Sequence, residues 1–220
     1  MISDISKANR RRSRIVKVKD IGIGGDSPIV VQSMTKTDTR DVNKTIAEIE
    51  RLRKAGCEIV RLAIPDTDGA TAFGKIKELT KVPLVADIHF DHRLALMAIK
   101  SKADKIRINP GNIGARWKVE EIIKNATENG IPIRIGVNAG SLEKEILRQT
   151  GKVSAAALLE SIKRSLAIFS VNNFSDIVLS AKAANVLETI EIYQTLALDY
   201  DFPLHLGITE AGLPFRGGLR

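Results

Sequence analysis

Six apolar runs in this sequence each carry a polar or charged residue at or near their C-terminal end, and most of those residues are cations. They read Glu58-Ile-Val-Arg61, Val85-Ala-Asp87-Ile-His89, Lys105-Ile-Arg107-Ile-Asn109, Pro132-Ile-Arg134-Ile-Gly-Val-Asn138, Ile177-Val-Leu-Ser180-Ala-Lys182 and Leu204-His205-Leu-Gly-Ile-Thr-Glu210. Between them lie stretches whose apolar residues recur at helical spacing, for instance Val42, Ile46, Ile49 and Leu52, or Val119, Ile122, Ile123 and Ala126. Strands alternating with helices predict a parallel sheet, and in a β/α barrel every C-terminal strand end converges on one face. Arg61, Arg107, Arg134 and Lys182 gathered on that face make a pocket for a multiply charged anion, and a phosphorylated small molecule is its natural occupant.

Strands are expected near residues 29–34, 58–64, 82–88, 105–109, 132–137, 176–182 and 203–208. A closed barrel takes eight strands and roughly 250 residues. The chain has 220 residues, so the expected fold is a TIM-type (β/α) barrel cut after about seven strands. Residues 1–25 are expected to form a basic arm, with Arg10, Arg11, Arg12 and Arg14 in a mobile, solvated tail, followed by a hairpin; residues 26–220 form the barrel. Ala139 to Lys152 reads as an insertion after the fifth strand.

The formal charge of +8 suits an anionic ligand, nucleic acid or an acidic partner. Aromatic content of 4% argues against base stacking, and no helix-turn-helix or RNA-binding signature accompanies the basic tail, so nucleic acid is not the expected partner. The single cysteine, Cys57, excludes an internal disulfide, offers no metal-ligating set and fits a reducing, cytoplasmic setting. No run approaches the roughly 20 apolar residues of a membrane span, and the basic N-terminus lacks the apolar segment of a secretory signal.

Guanidinium groups inside apolar strands are costly unless they face an anion or a carboxylate. The plainer alternative pairs the three arginines with Asp87, Glu58 or Glu210 as salt bridges, but three at equivalent positions of separate strands favour a ligand. Asn109-Pro-Gly-Asn112-Ile-Gly114 reads as a tight loop whose backbone N–H groups could face phosphate, although the same string is ordinary turn chemistry. Asp87 and His89, two apart, lie on one side of a strand and could orient a hydroxyl or transfer a proton. Glu210 ends the last run, where barrel enzymes often carry acid–base groups. Strand parity puts His205 on the opposite face from Glu210. Cys57 precedes its strand, at the N-terminal rim, and reads as structural filler.

Together these segments resemble the 4-hydroxy-3-methylbut-2-en-1-yl diphosphate synthase family of the methylerythritol phosphate route to isoprenoids. The strings are Pro28-Ile-Val-Val-Gln-Ser-Met-Thr35, Val85-Ala-Asp-Ile-His-Phe90, Arg107-Ile-Asn-Pro-Gly-Asn-Ile-Gly114, Pro132 through Lys144, and Leu204-His-Leu-Gly-Ile-Thr-Glu-Ala-Gly212. The resemblance implies 2-C-methyl-D-erythritol 2,4-cyclodiphosphate as substrate, held by Arg61, Arg107, Asn109, Arg134, Asn138 and Lys182, with Glu210 in proton transfer and Asp87 and His89 beside it. It implies ferredoxin or flavodoxin as electron donor and a homodimer in the full-length family. It also implies a 4Fe–4S cluster on three cysteines and a glutamate of a further C-terminal domain, ligands that this chain lacks. The alternatives are a pteroate-synthase-like phosphate-binding barrel and a non-catalytic basic remnant.

Overall fold

Alternation of side chains along each strand separates this sheet into an apolar face and a polar one. The computed structural model describes residues 11–207. A hairpin of β1 (Ile15–Val18) and β2 (Ile21–Gly24) comes first, and six parallel strands follow in chain order: β3 (Gln32–Met34), β4 (Ile59–Ala63), β5 (Leu84–Asp87), β6 (Lys105–Ile108), β7 (Ile133–Asn138) and β8 (Ile177–Lys182). Helices α1 (Val42–Lys54), α2 (Thr67–Leu79), α3 (His92–Lys100), α5 (Arg116–Asn129), α7 (Ala155–Val171) and α8 (Val186–Asp199) stand between or after the strands. The short α4 (Pro110–Ile113) and α6 (Lys144–Thr150) sit in the connections after β6 and β7. This is the curled half of a β/α barrel.

Local chemistry sets the helix starts. Asp41, Asp66, Asp91, Ser154 and Asn185 cap α1, α2, α3, α7 and α8 by accepting a backbone N–H of the first turn. Val60, Leu62, Ile106, Ile108, Ile133, Ile135, Ile177 and Leu179 then face the helices in one buried apolar core. The residues between them face inward. Val18 of the hairpin packs on Ile59 and Val85, with Ile21, Ile23 and Val30 around them, and so floors the N-terminal end of the barrel.

Three expectations change. The last run makes one isolated parallel bridge, Leu204 to Leu179, rather than a strand within the described residues; Pro203 has no N–H to extend the ladder. Arg11 and Arg14 are not a solvated tail. Arg11 donates to the carbonyls of Tyr200 and Phe202, and Arg14 forks onto Asp201 at 2.7–3.1 Å while stacking on Phe202. The loop after β6 is the one-turn helix α4, whose Gly111 N–H is taken by the Asn109 side chain at 3.2 Å rather than left for phosphate.

Candidate anion-binding site

Strand register decides which inward residues meet. Met34 pairs with Arg61, Arg61 with Val85, and Val85 with Lys105, forming a lower row. Ala63, Asp87, Arg107, Arg134 and Val178 form the row above. Asn138 pairs with Lys182 nearer the rim. Arg61 is therefore level with Lys105, not with Arg107 as equal placement of the three arginines predicts. Each strand joins its neighbour at a stagger, so residues at similar depth in the sequence runs fall in different layers.

Asp87 is the hub. Its carboxylate receives Arg107 Nη1 at 3.1 Å and lies 3.4 Å from Arg61 Nε and 3.5 Å from His89 Nε2. Burial alone raises a carboxyl; here the His89 hydrogen bond and the charges of Arg107 and Arg61 outweigh it, holding Asp87 well below the ordinary carboxylate range. Arg107 also donates to Gly136 O at 2.8 Å. A Cβ on Gly136 would lie 2.5 Å from Arg107 Nε, so glycine is what lets the guanidinium cross β7. With its amide oriented to satisfy both neighbours, Asn138 accepts from Arg107 Nη2 at 3.1 Å. Arg61 rests Nε and Nη2 on the Met34 sulfur at 3.2 and 3.0 Å.

Arg134 is different. It is 1% exposed, and its Nε and Nη1 have no hydrogen-bond partner, nor does Nε of the 4%-exposed Arg107. Buried donors of this kind are rare in folded proteins and call for an acceptor. Burial, then Arg61 and Arg107, lower the Arg134 guanidinium, yet its delocalised charge persists at neutral pH. Burial and these same arginines push the Lys182 amine down to about 8.

Sequence reasoning missed Lys105 and His205. Lys105 is completely buried and donates to Gln32 Oε1 at 3.1 Å. Its signal was available: it stands two residues before Arg107 and four before Asn109, on the same strand face. Burial, then Arg134, Lys182, Lys105 and Arg61, push His205 down to about 2, so it is a neutral imidazole among cations. Its backbone carbonyl accepts the Tyr193 hydroxyl. Asn109 is fully buried above the Lys105 and Arg107 rows. Glu210 lies outside the described residues. Glu143, from the expected insertion, reaches over Gly111 and accepts the Ser161 hydroxyl at 2.8 and 3.0 Å, tying the loops after β6 and β7 together.

Among the described residues no three His, Cys, Asp or Glu side chains could hold a metal ion. Cys57 is buried at the opposite end, its Sγ 3.1 Å from Ile59 O, and burial raises its thiol. With one cysteine in the chain, these residues do not fit an iron–sulfur cluster.

The interior of this parallel β/α barrel is cationic and presents bare guanidinium nitrogens, donors whose chemistry suits a small, multiply charged anion. The chain belongs to the family described as the GcpE TIM-barrel domain, which matches residues 13–220. It is 51% identical over 211 residues to the 4-hydroxy-3-methylbut-2-en-1-yl diphosphate synthase (flavodoxin) of Symbiobacterium thermophilum, covering 96% of this chain and 57% of that protein. The protein of the same name from Anoxybacillus flavithermus is 53% identical over 212 residues, covering 96% and 58%. The chain thus spans under two thirds of the curated relatives it matches. Among solved structures, 3-dehydroquinate dehydratase from Geobacillus kaustophilus is similar with a TM-score of 0.63 at 13% identity, covering 89% of this chain and 79% of that one. The 7,8-dihydropteroate synthase of Vibrio fischeri gives 0.57 at 16% identity, covering 87% and 77%. These likenesses carry the barrel fold alone. No helix among the described residues is long and apolar enough to cross a membrane.

Proposed function

We propose that this chain is the substrate-holding barrel of a 4-hydroxy-3-methylbut-2-enyl diphosphate synthase, an oxidoreductase of isoprenoid biosynthesis, and that it binds 2-C-methyl-D-erythritol 2,4-cyclodiphosphate. The observation that carries the reading is Arg134, buried with two unpartnered nitrogens beside Arg107. Reductive ring opening breaks one carbon–oxygen bond to the diphosphate and expels one hydroxyl as water, with two electrons and a net proton consumed. The diphosphate emerges with one more negative charge, which an interior rich in cations favours over the reactant.

In this reading Arg61, Arg107, Arg134 and Lys182 hold the diphosphate, and Asn109 and Asn138 orient it. Asp87 and His89, 3.5 Å apart, contact a substrate hydroxyl, with Asp87 fixing the imidazole. Glu210 supplies the proton-transfer group. The names of the relatives support flavodoxin as the electron donor. The electron-carrying 4Fe–4S group would need more cysteines than the single Cys57 of this chain; a homodimer and the cytoplasm complete the assignment. Residues 1–25 serve as arm and hairpin, and 26–220 as the barrel domain.

Calorimetry with the cyclodiphosphate tests this, using wild type and Glu210→Gln. The expected result is saturable binding by both, unchanged or slightly tighter in Glu210→Gln because a negative charge near a polyanion is removed. Turnover is lost when the same change is made in the complete enzyme. Absence of binding by wild type rejects the reading, and weakened binding by Glu210→Gln makes Glu210 a pocket organiser instead.

A further inference from the structure

One inward cation has no role so far. Lys105 opens β6 in full burial, and its bond to the neutral amide of Gln32 is the one hydrogen bond it makes among the described residues. No ion pair joins it to a carboxylate among the described residues, and Asp87 on the neighbouring strand is occupied by Arg107, Arg61 and His89. We propose that Lys105 is a further anion-contacting residue of the site and that it changes protonation with its ligand: a neutral amine in the empty barrel, an ammonium once a diphosphate lies beside it, the proton drawn from solvent.

The charge census of the interior leads there. Lys105 shares the inner face of the sheet with Gln32 from β3, Arg61 from β4, Asp87 from β5, Arg107 from its own strand, Arg134 from β7 and Lys182 from β8; Gln32 bonds it, and Arg134 and Arg61 bear on its charge. His205 from the last run and Tyr193 of α8 are the remaining titratable neighbours, and neither carries charge at neutral pH. Among the described residues, five cations thus share a low-dielectric space with one carboxylate. Arginines cannot discharge, whereas a buried lysine can. Lys182 is partly open to solvent and Lys105 is not, so Lys105 is the cheaper group to neutralise. Burial, then Arg134 and Arg61, push its amine down to about 7. One negative charge about 4 Å away at an effective dielectric of about 20 favours the ammonium by about a thousandfold, enough to reverse that.

The identity of the anion rests on the function proposed above; the proton uptake is measured separately from affinity. Each phosphate of the cyclodiphosphate has a single, strongly acidic proton, so the ligand keeps its charge across neutral pH and any proton taken up is the protein's. Calorimetry of the intact protein at pH 8, in buffers of different ionisation enthalpy, should show uptake of about one proton from Lys105 plus a fraction from Lys182, falling toward zero at pH 6. Lys105→Met should bind about tenfold more weakly or worse, with only the Lys182 fraction of uptake left. Free of ligand, it should melt higher than wild type, because folding no longer has to strip the proton from a buried amine. Binding without uptake, uptake equal at pH 6 and 8, or uptake unchanged in Lys105→Met overturns the inference and leaves the proposed function standing. No binding by wild type overturns both. Should Lys105→Met not fold, the comparison of pH 6 with pH 8 on wild type still decides.

Discussion

Cations on the outside of this molecule and cations on its inside live under opposite rules. Outside, Arg40 sits on Asp38, Arg93 on Asp91, Arg116 on Glu120 and Arg164 on Glu160, each within one helical turn or loop and each in water. Inside, among the described residues, Asp87 is the one carboxylate paired with the arginines, and Arg134 keeps two nitrogens with no partner. Surface pairs of that kind are worth about 0–1 kcal/mol, because water screens what they gain. An interior cation without a partner costs stability, and a protein that tolerates several uses the strain for binding. The excess charge of +8 is therefore informative for where part of it sits, not for its size.

The sharpest way to break this contrast is Asp87→Asn. Removing the carboxylate that Arg107 and Arg61 share leaves both charges without it in a buried space, and a loss of roughly 3–5 kcal/mol in unfolding free energy is expected by denaturant titration. A loss under about 1 kcal/mol would mean that water already screens the interior. The pH dependence follows from the same group. Because the folded-state pKa of Asp87 is depressed, its stabilisation is fully present above the ordinary carboxylate value of about 3.9 and is lost as pH falls below it. Asp87→Asn should therefore flatten the acid limb of the stability curve.

Arg134→Ala comes next. It should weaken cyclodiphosphate binding by roughly 2–3 kcal/mol, about 30- to 150-fold in Kd, measured by calorimetry. Because the deleted group has no protein partner for Nε and Nη1, stability should fall little or rise, unlike in Asp87→Asn. A large destabilisation with intact binding would make Arg134 a structural residue. The smallest effect belongs to the exterior. Arg116→Ala removes an i,i+4 pair with Glu120 that is open to water and should change the melting free energy by under about 0.5 kcal/mol and binding not at all. A measurable change in binding would show that the outer surface shapes the interior field.

Much of this arrangement was legible in the chain itself. The period-two alternation in Lys105-Ile-Arg107-Ile-Asn109 and Pro132-Ile-Arg134-Ile separates core-facing isoleucines from inward cations without any structure. The weaker readings fell where local rules have little to say. Asn109-Pro-Gly could be a phosphate-facing loop or a helical turn, and the structure chose the turn because the Asn109 side chain satisfies the Gly111 N–H first. His205 gave no sign of its cationic neighbours, since Arg134, Lys182, Lys105 and Arg61 come from four other strands.

By itself the sequence determined the β/α architecture, most of the inner-face residues and the sign of the charge there, because these depend on periodicity and residue type within a few positions of chain. The strings it shares with its family determined membership. Only the tertiary structure decided the layers: that Arg61 is level with Lys105, that Asp87 is shared among Arg61, Arg107 and His89, that Gly136 makes room for Arg107, and that Arg134 Nε and Nη1 are left without acceptors. Those facts depend on the stagger between neighbouring strands and on the distance across the barrel, and neither is encoded within any single run of residues.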